Sequence, residues 1–204
     1  MRKDIGTFVV YACIKDTHGA KTLYPSERYI EVISCKNEHS KTEKYSVWKL
    51  LERVVTDKLK MNFENIEFTK TANGKWICPD FCFSLSHTCG AVCVALSPCD
   101  VGVDIERMRP IREELASKIL TESEKTVFDS LEKSERCGYL LEAWVKKESI
   151  FKMTGGKALM PNRTDASDYS TVTRRARIEN EEYVISVATS DGEDRIEFIY
   201  LEEI

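Results

Sequence analysis

With 204 residues, 42% of them hydrophobic and 31% charged, the chain can bury a core without disulfide staples and is expected to form one large or two small units. Its formal net charge of −4 argues against a nucleic-acid partner, which calls for a basic face, but leaves room for a small basic pocket. No run reaches the ~20 apolar residues of a membrane span, and the N-terminus lacks a signal-peptide core, so a cytoplasmic protein without membrane contact is expected.

Residues 5–14 read as a strand built on Ile5, Phe8, Val9, Val10 and Tyr11. Residues 24–32 fit either a helix or an extended segment, and residues 36–44 are polar enough for a loop or a helix start. From Tyr45 to Leu59, Val47, Leu50, Leu51, Val54 and Val55 fall at helical spacing. Asn73-Gly74 marks a hairpin turn after a short strand. Two strands are expected between Phe81 and Leu96, joined at Thr88-Cys89-Gly90, and another over Val101 to Glu106. Thr121-Glu122-Ser123-Glu124 has the capping-box form and opens a helix to Leu131. A second helix runs from Leu140 to Met153 and stops at Gly155-Gly156. Residues 161–180 look irregular with strand fragments, and strands over 183–188 and 196–201 close the chain. The fold class is therefore α+β with mostly antiparallel strands.

One internal echo stands out. Trp48-Lys49-Leu50-Leu51-Glu52 and Trp144-Val145-Lys146-Lys147-Glu148 each sit in a predicted helix that precedes a strand, 43 and 39 residues on. One shared pentapeptide fits two related halves meeting along an interface, and chance could also produce it.

Four of the eight cysteines, Cys78, Cys82, Cys89 and Cys93, are close enough together to raise a zinc site. Their apolar neighbours place them in strand interiors, where a thiol acts as a small hydrophobe, and buried thiols are the preferred reading.

Val101-Gly102-Val103-Asp104-Ile105-Glu106 carries the chemistry. On a strand the apolar residues face one side and Gly102, Asp104 and Glu106 the other. Two carboxylates roughly 7 Å apart on one face repel unless a cation lies near them. Gly102 leaves space for a ligand to approach the backbone. On the hexapeptide alone, a solvated edge strand is the plainer reading. Glu148 and Lys152, four apart, share a helix face; they suit a surface ion pair, or a metal ligand with a phosphate-facing cation. In Phe83-Ser84-Leu85-Ser86-His87 the serines share a face, and Ser86 with His87 could bond a phosphate. No Gly-x-Ser-x-Gly elbow accompanies them. Glu124 is accounted for by its capping box.

Taken together, Gly74-Lys75, Leu85-Ser86-His87, the Gly-x-Asp-x-Glu strand and Trp144-Val145-Lys146-Lys147-Glu148-Ser149-Ile150-Phe151-Lys152 resemble the 4′-phosphopantetheinyl transferase superfamily, in its longer, single-chain, surfactin-synthetase-activating type. The resemblance covers residues 74–160 and is loose over the first 70; Trp76 stands where the family often has Pro. It implies two similar subdomains in a pseudo-twofold arrangement, with the nucleotide contacts of coenzyme A in 1–98, the metal site and catalytic helix in 99–204, and the active site between them. It further implies transfer of phosphopantetheine from coenzyme A to a serine of an acyl or peptidyl carrier protein by a monomer. Asp104, Glu106 and Glu148 would hold Mg²⁺, and Asp104, Glu148 and Lys152 would be catalytic. Lys75, Ser86, His87 and Lys44 would contact coenzyme A. The segment 107–112, with Arg107, Arg109 and Arg112 among apolar residues, would suit an acidic carrier helix or simply a solvated loop.

Overall fold

The first sheet grows around a strand that is apolar on both sides. In the structure, a computed structural model that describes residues 6–14, 22–156, 158–192 and 195–202, β5 (Ala91–Ser97) is buried at every position. It pairs antiparallel with β1 (Thr7–Cys13) and with β4 (Cys82–Thr88). Val92, Val94 and Leu96 face one core cluster, which also takes Trp48, Leu50, Leu51, Val54 and Val55 from the helix laid across the sheet. Ala91, Cys93 and Ala95 face a second cluster, completed by Val101, Val103, Ile105, Ile185 and Val187 of another sheet. A strand sandwiched between two cores has no polar face, which is why its sequence is a continuous apolar run.

The helix on the first sheet, α2 (Glu38–Leu59), follows the short α1 (Ser26–Ile33). It starts seven residues before the apolar stripe at Tyr45, because Asn37 caps it by accepting from the amides of His39 and Ser40. Those first two turns are polar and show no periodicity. The hairpin β2 (Thr69–Lys70) and β3 (Trp76–Ile77) turns at Gly74, whose φ of 81° suits glycine.

The second sheet has β6 (Val101–Arg107) at its edge, β8 (Glu181–Thr189) in the middle and β7 (Ser170–Ile178) outside, all antiparallel. β7 lies where an irregular stretch was expected: Arg174, Arg175 and Arg177 on an outer strand hide any alternation. Between β6 and β7 come α3 (Ala116–Ile119), α4 (Glu122–Ser130) and α5 (Lys133–Thr154). The expected capping box at Thr121 and Glu124 is formed. α5 begins seven residues before Leu140 and ends at Gly155, whose φ is 65°. It packs on β6 and β8, with Leu141 and Val145 against Val184.

The two halves repeat one plan. A strand, a 22-residue helix and a hairpin give β1, α2, β4, β5 and then β6, α5, β7, β8, and the strand orders match: β4-β5-β1 and β7-β8-β6. β9 (Ile196–Leu201) crosses back to pair parallel with β1. The fold is α+β, and β1–β9 is its one parallel pairing among the described residues.

The sheets meet where the free edge of β6 abuts the inner face of β4. An edge strand has unpaired amides that need acceptors. Ser84 Oγ accepts from Val103 N at 3.0 Å and Ser86 Oγ from Ile105 N at 3.3 Å. On its other face β6 touches α5 so closely that a Cβ on Gly102 would stand 1.9 Å from the carbonyl oxygen of Ser149 and 2.4 Å from the amide nitrogen of Met153. The space expected for a ligand at Gly102 is thus taken by α5.

The four grouped cysteines diverge. Cys78 belongs to the core under α2 and Cys93 to the core between the sheets. Cys82 is half-buried and Cys89 is exposed at the turn, which departs from the expectation of four buried thiols. Ile5 lies outside the described residues.

Candidate active site

Tight contact between β6 and α5 brings their polar residues to one place. A cleft of about 340 Å³ is lined by Ser86, His87, Asp104, Glu106, Trp144, Glu148 and Lys152. Lys152 Nζ lies 2.7 Å from Asp104 Oδ1 and donates to Ser86 Oγ at 2.9 Å, while Ser86 donates to the same Asp104 oxygen at 2.8 Å. Thr88 donates to Glu106 at 3.1 Å. Asp104 is 5% exposed, and its Oδ2 is buried with no hydrogen-bond partner among the described residues. An ionised oxygen in that position needs a positive charge or a donor.

The neighbouring carboxyls register the same crowding. Burial, and then the charge of Asp104, raise Glu106 above its ordinary range, against the hydrogen bond from Thr88. Burial and Asp104 also raise Glu148, with Glu106 adding to the rise and Lys152 opposing it. Three carboxylates around one cleft, one with an orphaned oxygen, form an all-oxygen donor set that fits Mg²⁺, a hard cation. Among the described residues no three His, Cys, Asp or Glu side chains are already gathered as a metal ligand set. Lys152 carries the positive charge at Asp104.

His87 and Lys152 also line a second, larger cleft of about 480 Å³, whose wall includes Arg28, Glu31, Lys44, Lys75 and Trp76. Lys44 lies within α2 rather than before it; its Nζ is 3.9 Å from Glu31 and its carbonyl accepts from Arg28 Nη2 at 2.9 Å. Lys75 reaches across to α5 and donates to the carbonyl of Lys152 at 2.6 Å, where the helix end is negative. Burial lowers the pKa of Lys75, with Asp100 opposing. Asn73 likewise donates to the carbonyl of Gly155 at 2.9 Å. Burial lowers His87, although Glu43, 3.3 Å from its Nδ1, pulls the other way. Arg28 stacks on Trp48, its guanidinium 4.9 Å from the ring centre.

The expected residues thus divide between two connected clefts. Asp104, Glu106, Glu148 and Ser86 surround the acidic one, Lys44 and Lys75 the basic one, and His87 and Lys152 stand in both. Ser86 braces Asp104 on the acidic side and is absent from the lining of the basic cleft, where a coenzyme A contact was expected. Arg28 and Glu31 were not singled out from the sequence. Their helix was undecided between two conformations, and their partners outside it lie 13 to 45 residues away.

Lys147 is fully buried beside this site. It donates to the carbonyls of Ile119 at 2.8 Å and Pro161 at 2.9 Å and pairs with Glu124. Glu124 thereby has two structural partners, its cap and Lys147. Arg109, Ile111, Leu115, Lys118 and Trp144 line a third cleft of about 690 Å³ that opens from Glu106 and Glu148. No helix among the described residues is long and apolar enough to cross a membrane.

Comparison with known proteins points to one superfamily. The chain is 30% identical over 115 residues to 4′-phosphopantetheinyl transferase ffp of Bacillus subtilis, which covers 55% of this chain and 51% of that protein. It is 28% identical over 115 residues to 4′-phosphopantetheinyl transferase Sfp of Bacillus subtilis strain 168, covering 55% and 51%. To 4′-phosphopantetheinyl transferase gsp of Aneurinibacillus migulanus it is 31% identical over 113 residues, covering 55% and 48%. The chain spans about half the length of the curated relatives it matches. The sequence model of the 4′-phosphopantetheinyl transferase superfamily matches residues 100–195. Through that stretch, which holds β6, α5, β7 and β8 and with them Asp104, Glu106, Glu148 and Lys152, the chain is similar to the 4′-phosphopantetheinyl transferase superfamily.

Proposed function

We propose that the protein transfers the 4′-phosphopantetheine arm of coenzyme A to a serine of an apo acyl or peptidyl carrier protein, releasing adenosine 3′,5′-bisphosphate. The observation that carries this reading is the junction of an acidic cleft with a basic one at His87 and Lys152. A diphosphate bound across that junction would meet oxygen ligands for a cation on one side and fixed cations on the other. Asp104, Glu106 and Glu148 would hold Mg²⁺, which when bound supplies charge neutralisation to the diphosphate.

Lys152, on α5, pairs with Asp104 and would stabilise the charge that builds on the departing bisphosphate. Glu148, raised above the usual carboxylate range by burial and Asp104, is the group placed to accept the proton of the attacking serine hydroxyl. His87, Lys75, Lys44 and Arg28 bind the nucleotide end, with the 3′-phosphate on this wall. Ser86 holds Asp104 in place. The half 1–98 supplies the nucleotide wall and 99–204 the metal and catalytic groups. The rim formed by Arg109, Ile111, Leu115 and Lys118 receives the carrier's acidic helix. The two halves already make one cleft, so the protein acts as a monomer.

The test is mass spectrometry of an apo carrier incubated with enzyme, coenzyme A and Mg²⁺. One added phosphopantetheine per carrier is expected, and its loss in Asp104→Ala. Apo acyl and peptidyl carriers that all stay unmodified would overturn the proposal.

A further inference from the structure

Glu31 is the only carboxylate in the described wall of the basic cleft, and it is heavily engaged. Its Oε1 lies 3.1 Å from Arg28 Nη1 and 3.9 Å from Lys44 Nζ. Its Oε2 accepts from Lys70 Nζ at 2.7 Å and from Trp76 Nε1 at 3.1 Å. Burial opposes its ionisation, yet Lys70, Arg28 and Trp76 together hold it below the usual carboxylate range, so it is a fixed anion at neutral pH. Arg28 is 5% exposed, and its Nε is buried without a hydrogen-bond partner among the described residues. The guanidinium thus gives Nη1 to Glu31 and Nη2 to the carbonyl of Lys44.

An anionic group entering this wall meets cations that already share a carboxylate. A phosphate must divide Arg28 and Lys44 with Glu31, or displace it, and it is repelled by it at close range. Each charge-assisted hydrogen bond is strong only if its donor is not already satisfied by another anion. A nucleoside without that phosphate meets no such competition and loses little.

Resting on the coenzyme A reading above, we propose that Glu31 is a specificity-determining residue. It is a built-in carboxylate that occupies Arg28 and Lys44 and so weakens the preference for a nucleotide carrying a 3′-phosphate over one lacking it. The protein therefore uses dephospho-coenzyme A nearly as well as coenzyme A. Removing the charge frees Arg28 and Lys44 for the phosphate and restores the preference.

The experiment compares the unsubstituted protein, Glu31→Gln and the charge-conserving Glu31→Asp. KM is measured for coenzyme A and for dephospho-coenzyme A, with transfer to an apo carrier read by mass spectrometry. Binding of adenosine 3′,5′-bisphosphate and of AMP is measured in parallel by calorimetry, which needs no carrier and no turnover. The unsubstituted protein should discriminate between the two donors by less than about tenfold in KM, the scale of one charge-assisted hydrogen bond. Glu31→Gln should lower KM for coenzyme A by on the order of tenfold while KM for dephospho-coenzyme A stays put, and should tighten the bisphosphate alone to a similar degree. Glu31→Asp should keep the weak preference. Donor and binding ratios that stay within about twofold in Glu31→Gln would overturn the role of Glu31 and leave the transfer reaction standing. Absence of transfer from both donors by the unsubstituted protein would overturn the reaction and this inference with it.

Discussion

Replacing Gly102 with Ala isolates one contact on which the site depends. Glycine to alanine at an open position of compatible backbone stabilises a protein by about 0.4–1 kcal/mol, because the unfolded chain loses freedom. Gly102 has no positive φ, so its backbone poses no obstacle. Space does: the new methyl would stand 1.9 Å from the carbonyl oxygen of Ser149, where ordinary contact begins at 3.4 Å. Both obstructing groups are backbone and cannot rotate away, so α5 must recede from β6 by about 1.5 Å, the difference between those distances. Overpacking of this kind costs about 1–3 kcal/mol, and a rigid helix puts it near the upper end. For a chain of this length about 3 kcal/mol lowers the melting temperature by about 6–12 °C. The same recoil carries Glu148 and Lys152 away from Asp104, so the thermal stabilisation by coenzyme A with Mg²⁺ should shrink as well. Differential scanning fluorimetry with and without both ligands reads the two effects together. A Gly102→Ala protein that melts at or above the parent temperature would refute the argument, since the contact would then be absent in solution.

Other outcomes follow from the same geometry. Lys147→Met leaves Glu124 and the carbonyls of Ile119 and Pro161 without their buried cation, and should cost about 3 kcal/mol in chemical denaturation. Ser86→Ala orphans the amide of Ile105 and loosens Asp104, and should cost about 2 kcal/mol while weakening Mg²⁺-dependent stabilisation in thermal shift. Glu106 and Glu148 have folded-state values above their ordinary ones, so the folded protein binds protons more readily than the unfolded chain. Their carboxylates therefore work against the fold at neutral pH, and this is relieved as pH falls through the raised values. Glu148→Gln should accordingly melt higher than the parent without cation, lose the Mg²⁺-induced rise, and lose activity by about a hundredfold or more. Mg²⁺ must displace those protons, so the Mg²⁺ concentration needed for half-maximal stabilisation should rise between about pH 7.5 and about pH 5.5, less steeply in Glu148→Gln.

What could be read from the sequence was what depends on short spacing. The alternation in Val101 to Glu106, the capping box at Thr121 and the turn at Gly74 are local, and each is realised. The placement of Glu148 and Lys152 on one helix face was also local; their meeting with Asp104 was not, and rested on family resemblance. Errors fall where distant groups decide. Gly102 looked open because nothing nearby in sequence announces the backbone of α5. The bond of Ser86 to the edge of β6 was hidden because Ile105, whose amide uses its hydroxyl, lies 19 residues on. Glu31 and Arg28 draw their meaning from Lys44, Lys70 and Trp76, contacts that only the hairpin and α2 create.

The matching strand order of the halves puts Trp48 and Trp144 at equivalent points, and their surroundings have diverged. Trp48 is fully buried, its ring centre 5.2 Å from Phe68 and 5.4 Å from Trp76, an anchor for cohesion. Trp144 opens onto two clefts, and its neighbour Lys147, where the first half has Leu51, is a cation in place of an apolar contact. A repeated unit within one polypeptide allows such a division of labour: one copy keeps the molecule solid, which leaves the other at liberty to crowd like charges together.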